Sequence, residues 1–210
     1  MEHPILFSGP MVRAILDGRK TQTRRVVKPR PPRDFPIAIY DTNGFCCWSE
    51  DGTEDGGTWP TDDPLRCPYG QPGDRLWVRE TWASCSDIDG KTEPERARHY
   101  TMYRADEKGD PRDPMNYHDF GKWRPSIHMP RWASRITIEI VSVRVERVQE
   151  ISDEDAIAEG ITVIGRPELN SLSVGKFIQG YKCLWNDINA KRGYGWDKNP
   201  WVWVIKFKRV

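Results

Sequence analysis

Residues 135 to 148 constrain this chain more than any other segment. Ile136, Ile138 and Ile140 alternate with polar residues, and then Val141, Val143 and Val145 alternate in the opposite phase. Period-two alternation belongs to a strand with one buried face. A change of phase inside such a run calls for a bulge or a sharp bend, the device that curls a sheet toward a barrel. Residues 201 to 208 read as a closing strand, with Val202, Val204 and Phe207 on apolar faces. Arg75-Leu76-Trp77-Val78-Arg79-Glu80, after a Gly73-Asp74 turn, reads as another, and His99 to Tyr103 as a short one.

The helices announce themselves by their ends. Pro10 suits the first turn of a helix over residues 11 to 17, where its missing N–H has no partner to lose. Val12, Ile15 and Leu16 share one face, and Gly18 stops the helix. Ser152-Asp153-Glu154-Asp155 is an N-cap followed by acids in the first turn. It opens a short helix that runs to about Glu159 and ends at Gly160. Val174, Phe177, Ile178, Tyr181, Leu184, Trp185 and Ile188 give a longer amphipathic helix.

The order is helix, strands, short helix, long helix, last strand. It predicts an α+β fold with a mostly antiparallel, barrel-like sheet, flanking helices and long insertions. With no internal repeat and no visible boundary, residues 1–210 read as one domain. Residues 29 to 36 form a proline-rich connection. Residues 41 to 72 are rich in Gly, Asp, Thr and Pro and read as loops with one hairpin at Asn43-Gly44. Residues 106 to 123 read as a long loop.

Charge narrows the partners. Lys plus Arg is 32 against 31 Asp plus Glu, a net charge of +1. A grip on long nucleic acid through many phosphates brings a clear basic excess, so a small ligand or a short local RNA contact fits better. No run is long and apolar enough to span a membrane. Five cysteines without a secretory signal read as reduced thiols in a cytoplasmic protein. They contain no CxxC pair, and the four histidines no HxxxH pair, so neither a metal nor another cofactor is implied.

Four places could carry chemistry. In Gly18-Arg19-Lys20-Thr21-Gln22-Thr23-Arg24-Arg25, the Lys20 amine and the Thr23 hydroxyl lie three residues apart just past a helix end. A desolvated lysine loses part of its preference for the charged form and can take a proton from a hydroxyl or water. Arg25 adds a fixed cation for a carbonyl or developing oxyanion. A solvated basic turn is the plainer reading of the same residues. On the strand through Trp77, Arg79 and Glu80 point to opposite faces, so one charge faces inward and needs a partner or a ligand. Residues 123 to 135, including His128 and Trp132, interleave aromatics with arginines, as base-stacking surfaces do and as rigid covering loops also do. Glu159, at the end of the short helix, is a candidate general base or a partner for Lys20.

Gly18, Lys20, Thr23 and Arg25 together resemble the motif Gly-x-Lys-x-x-(Glu/Thr)-x-Arg of the ASCH-domain family. Gly73-Asp74-x-Leu76-x-Val78, the strand at 136–148, Ala158-Glu159-Gly160-Ile161 and Trp203-Val204-Ile205-Lys206-Phe207 resemble its later elements, in order. The resemblance implies a PUA-like β-barrel with insertions at 30–72 and 86–130. Thr23 in place of Glu resembles the subgroup that removes the acetyl group from the exocyclic amine of N-acetylcytidine. That resemblance implies Lys20, Thr23 and Glu159 as the catalytic set. Arg25, Trp77, Arg79, Glu80, His128 and Trp132 are the substrate-binding candidates. The expected partner is a small nucleoside or nucleobase, with RNA as an alternative ligand, and the expected state is a monomer outside the membrane. Other members of the family resemble RNA-binding modules or ribonucleases. A third possibility is an interaction domain whose tryptophan-rich loops hold a protein.

Overall fold

A computed structural model describes residues 1–29, 37–40, 45–49, 58–59, 65–84, 101–106, 122–162 and 176–210. In chain order the elements are β1 (Glu2–Leu6), α1 (Gly9–Leu16), β2 (Gln22–Val26), β3 (Ile37–Tyr40), β4 (Phe45–Ser49), β5 (Thr58–Trp59), β6 (Leu65–Arg66), β7 (Arg75–Arg79), β8 (Trp82–Ser84), β9 (Thr101–Tyr103), β10 (Thr137–Arg147), α2 (Asp153–Ala158), α3 (Lys176–Asn189) and β11 (Trp201–Arg209). The protein mixes helix and sheet, with sheet predominant. Among the described residues no helix is long and apolar enough to cross a membrane. The chain divides into two compact units. The first holds residues 1–18, 74–139 and 209–210, and the second holds residues 19–73 and 140–208.

In the first unit β1 runs parallel to β7, with Pro4 opposite Trp77, and the start of β10 pairs antiparallel with β7. The short strands β8 and β9 form a separate antiparallel pair. Pro10 lies in the first turn of α1, and Gly18 takes φ 73° after it. That is a left-handed conformation that only glycine adopts without strain. Trp82, Met129 and Ala133 form a small buried cluster, against which Tyr103 and Trp132 pack.

In the second unit β11 pairs antiparallel with β2, setting Ile205 opposite Thr23 and Val204 opposite Arg24. All five residues from Trp201 to Ile205 are buried. A strand flanked on both edges and covered on both faces carries such a continuous apolar run rather than alternation. Val202 and Val204 join Val148, Ile151, Ala156, Tyr181, Trp185 and Trp196 in the main core, so α2 and α3 pack on this face. β3 pairs antiparallel with β4, and β4 also pairs with β5 and β6. Cys46, Cys47, Cys67 and Cys183 are free thiols, and burial pushes the Cys67 thiol up to about 11.

Three expectations change. The pairing is mostly antiparallel as expected, with β1 and β7 the parallel exception, but the strands described within each unit do not close into a barrel. The phase change in β10 is present but falls later, since Ile138, Ile140 and Val143 are buried while Val141 is exposed. The segment 41–72, expected to be loops with one hairpin, carries strands β4, β5 and β6, because Phe45-Cys46-Cys47-Trp48 is an unbroken run of β-favouring residues. The expected turn at Asn43-Gly44, the start of the short strand at His99, most of the loop at 106–123, and Val174 lie outside the described residues.

Helix α2 is only six residues long, so its ends matter. The Ser152 hydroxyl accepts from the Asp155 N–H at 3.1 Å, as its N-cap position predicts. Ser152→Ala is expected to lower the unfolding free energy in urea by about 1 kcal/mol.

Candidate active site

Lys20 lies on the short link between α1 and β2, and backbone bonds fix that link on both sides. The Thr21 N–H donates to the Ala158 carbonyl at 2.8 Å, and the Thr21 carbonyl accepts from the Phe207 N–H at 2.9 Å. The link is thereby held between the end of α2 and strand β11. Glu159 caps α2, its N–H donating to the Asp155 carbonyl at 2.8 Å, and Gly160 turns the chain away at φ 88°.

These constraints bring Lys20 and Glu159 together. The Lys20 Nζ donates to Glu159 Oε2 at 2.7 Å, to the Glu159 carbonyl at 2.9 Å and to the Gln22 carbonyl at 2.7 Å. The side chains are 0% and 4% exposed. An ammonium has three N–H groups, and three acceptors are in place, so the contact is an ion pair. Burial pushes the Lys20 amine below the ordinary lysine range, against the opposing attraction of Glu159.

Alternation along β2 decides what else joins them. Gln22 and Arg24 share one face, and Thr23 and Arg25 share the other. Arg24 donates to Glu159 Oε1 at 3.4 Å and to Asp155 Oδ2 at 2.7 Å, and it forms two bonds to Glu146 Oε1. Arg144 reaches Asp155 Oδ2 at 2.6 Å, Glu146 Oε2 at 2.8 Å and Gln22 Oε1 at 3.4 Å. Three cations (Lys20, Arg24 and Arg144) thus face three carboxylates (Glu146, Asp155 and Glu159). Burial alone would raise the Asp155 carboxyl, but its bond to Arg24 and the charges of Arg24 and Arg144 outweigh it and hold the group low. Tyr181 is buried with its ring 5.8 Å from the Arg24 guanidinium carbon, and burial keeps its phenol protonated far above the usual range.

Thr23 is buried on the opposite face of β2 and takes no part in the hydrogen bonds of the Lys20 amine. Arg25 is half-buried, with its guanidinium carbon 5.9 Å from the centre of the Tyr69 ring. The remaining sequence candidates belong to the first unit. The Trp77 ring is nearly buried, with Arg79 over it at 4.8 Å and Arg131 at 5.9 Å. Arg79 also donates to the Met129 carbonyl at 3.0 Å. Trp132 meets Trp82 edge-on at 5.6 Å, and His128 is exposed at the end of a short 3-10 turn. Glu80 is the inward charge of its strand. Arg135 grips it through two bonds of 3.0 and 3.1 Å, and also holds Asp106 while stacking on Tyr103 at 3.9 Å. Burial raises the Glu80 carboxyl, and Arg135 opposes that rise.

Sequence reasoning did not single out Gln22, Arg24, Arg144, Glu146, Asp155 or Tyr181 for the site. Two signals pointed to part of the set. Arg24 lies two residues from Gln22 on a strand, and Asp155 lies one helical turn before Glu159, so each pair shares a face. Comparison with family models, curated proteins and solved structures gives no match to this chain.

The balanced charges make two predictions. Lys20→Met leaves Glu159 buried with only the longer Arg24 contact, and is expected to cost roughly 3–5 kcal/mol in urea unfolding. Adding Glu159→Leu to that variant is expected to recover part of the loss. For Asp155 the folded-state pKa lies below its ordinary value of 3.8, so its contribution is present above that value and is lost as pH falls through the folded one. Asp155→Asn is therefore expected to be less stable than wild type at neutral pH, with the difference shrinking in chemical denaturation series carried below pH 3.8.

Proposed function

We propose that this protein is an amidohydrolase of ASCH-like, PUA-like type that removes an acyl group from the exocyclic amine of a cytosine-type nucleoside or base. The buried Lys20–Glu159 pair carries the reading. It unites two of the three residues that the resemblance implies as catalytic, from positions 139 residues apart in the chain. A solvated basic turn, the plain alternative for Lys20, does not account for a fully buried amine.

The chemistry follows from proton placement. Glu159 accepts a proton from Lys20 across the 2.7 Å contact, leaving a neutral amine that desolvation favours. That amine removes a proton from the nucleophile as it attacks the acyl carbonyl. Because Thr23 lies outside the Lys20 hydrogen bonds, water is the nucleophile in this scheme. Arg25, or backbone N–H groups after Gly18, stabilise the oxyanion. As the C–N bond breaks, the proton returns through the same pair to the leaving amine. One water and one amide become a carboxylic acid and a free amine, with no oxidant or cofactor needed.

The test is acetate release from N4-acetylcytidine. Wild type is expected to release acetate, and Glu159→Gln and Lys20→Ala, checked for folding, are expected to be slower by roughly a hundredfold or more. Thr23→Val is expected to keep most of the activity. Its complete loss would make Thr23 the nucleophile. Wild-type protein that is inert on acylated nucleosides but binds RNA in a salt-dependent way would replace this reading with the RNA-binding one.

A further inference from the structure

Arg24 is gripped from outside the Lys20–Glu159 pair. Its side chain is fully buried, and two elements supply its acceptors. From β10, Glu146 Oε1 accepts from Nε at 3.2 Å and also from Nη2. From α2, Asp155 Oδ2 accepts from Nη2 at 2.7 Å, and Glu159 Oε1 accepts from Nη1 at 3.4 Å. Glu146 and Asp155 meet the same edge of the guanidinium and fix its plane. The third and longest contact then acts on Glu159. With Oε1 facing Arg24 and Oε2 facing Lys20, the carboxyl has one cation per oxygen, and turning it away from the amine would break both contacts. Among the described residues, the charged and titratable groups around Arg24 are Lys20, Arg25 on the far face of β2, Arg144 and Glu146 on β10, Asp155 and Glu159 on α2, and the Tyr181 phenol on α3. Strand β11 sets the apolar Val204 opposite it.

We propose that Arg24 is a positioning residue that holds the Glu159 carboxyl against the Lys20 amine and couples the proton between them to the outer acids Glu146 and Asp155. The assignment rests on the amidohydrolase reading above. Arg24 needs no contact with substrate, because it acts through Glu159. A cation beside a group that holds a proton favours its release, and an anion favours its retention. Burial is the main cause that lowers the Lys20 amine, Glu159 opposes it, and the charges of Arg25 and Arg24 add to it. Glu146 and Asp155 offset part of the Arg24 charge, so the pair feels the balance of all three rather than the guanidinium alone.

The experiment follows acetate release from N4-acetylcytidine across pH for wild type, Arg24→Gln, Arg24→Lys and Glu146→Gln, each checked for folding. Removing the Arg24 cation is expected to move the kcat/KM profile to higher pH by about one unit, since the pair then keeps its proton longer. Removing the Glu146 anion is expected to move it the opposite way. Arg24→Lys keeps the charge but loses the fork, and is expected to lower kcat with the profile near its wild-type position. A role confined to stability would move neither profile. A folded Arg24→Gln variant whose profile coincides with that of wild type overturns the assignment alone. If Arg24→Gln does not fold, a coincident profile in Glu146→Gln does the same. A wild type inert on N4-acetylcytidine overturns the amidohydrolase reading and this assignment with it.

Discussion

The second unit is organised around one buried ion pair. Taking the Lys20 amine and the Glu159 carboxylate out of water costs several kcal/mol per ion, and only close, well-formed contacts offset that. Here the amine has three acceptors and the carboxylate is met by Lys20 on one oxygen and Arg24 on the other. The surrounding charges continue the pairing outward through Arg24, Glu146, Asp155 and Arg144. The apolar packing of α2 and α3 against β11 lies beside the charges and shares Tyr181 with them, so the cluster and the core support each other.

A structural ion pair and a catalytic one can share this geometry. What separates them is where the proton can go. A lysine whose charge is opposed by burial, and whose nearest acceptor is itself a carboxylate, sits closer to the neutral pair than a surface lysine does. The same features explain why the site was built from a helix cap and a strand entry. Glu159 is fixed by the end of α2, and Lys20 by backbone bonds on both sides of Thr21, so neither side chain has to search for the other.

Much of this was legible in the sequence, and the reasons are local. The start of α1 at Pro10, its stop at Gly18, the Ser152 cap and the turn at Gly160 depend on single residues with strong backbone preferences. Lys20 and Glu159 were legible because each sits beside such a signal. Arg24 was not, because its role depends on which face of β2 meets α2, and strand pairing decides that. Arg144 and Glu146 look like ordinary outward charges of an alternating strand until α2 is placed beside them. Trp77, read as a platform for a base, carries arginines of its own unit, a use of the same quadrupole that residue type alone does not distinguish. The parallel β1–β7 pairing was equally hidden, since alternation marks a strand but not the direction of its neighbour.

The state of the Lys20 proton decides between the two uses of the pair. A titration of the Lys20 side-chain methylene followed by carbon-13 NMR reports it directly. The structure predicts a midpoint below the ordinary lysine value of 10.5. A midpoint at or above that value would mean that Glu159 merely locks the ammonium in place, and the pair would then be structural rather than catalytic.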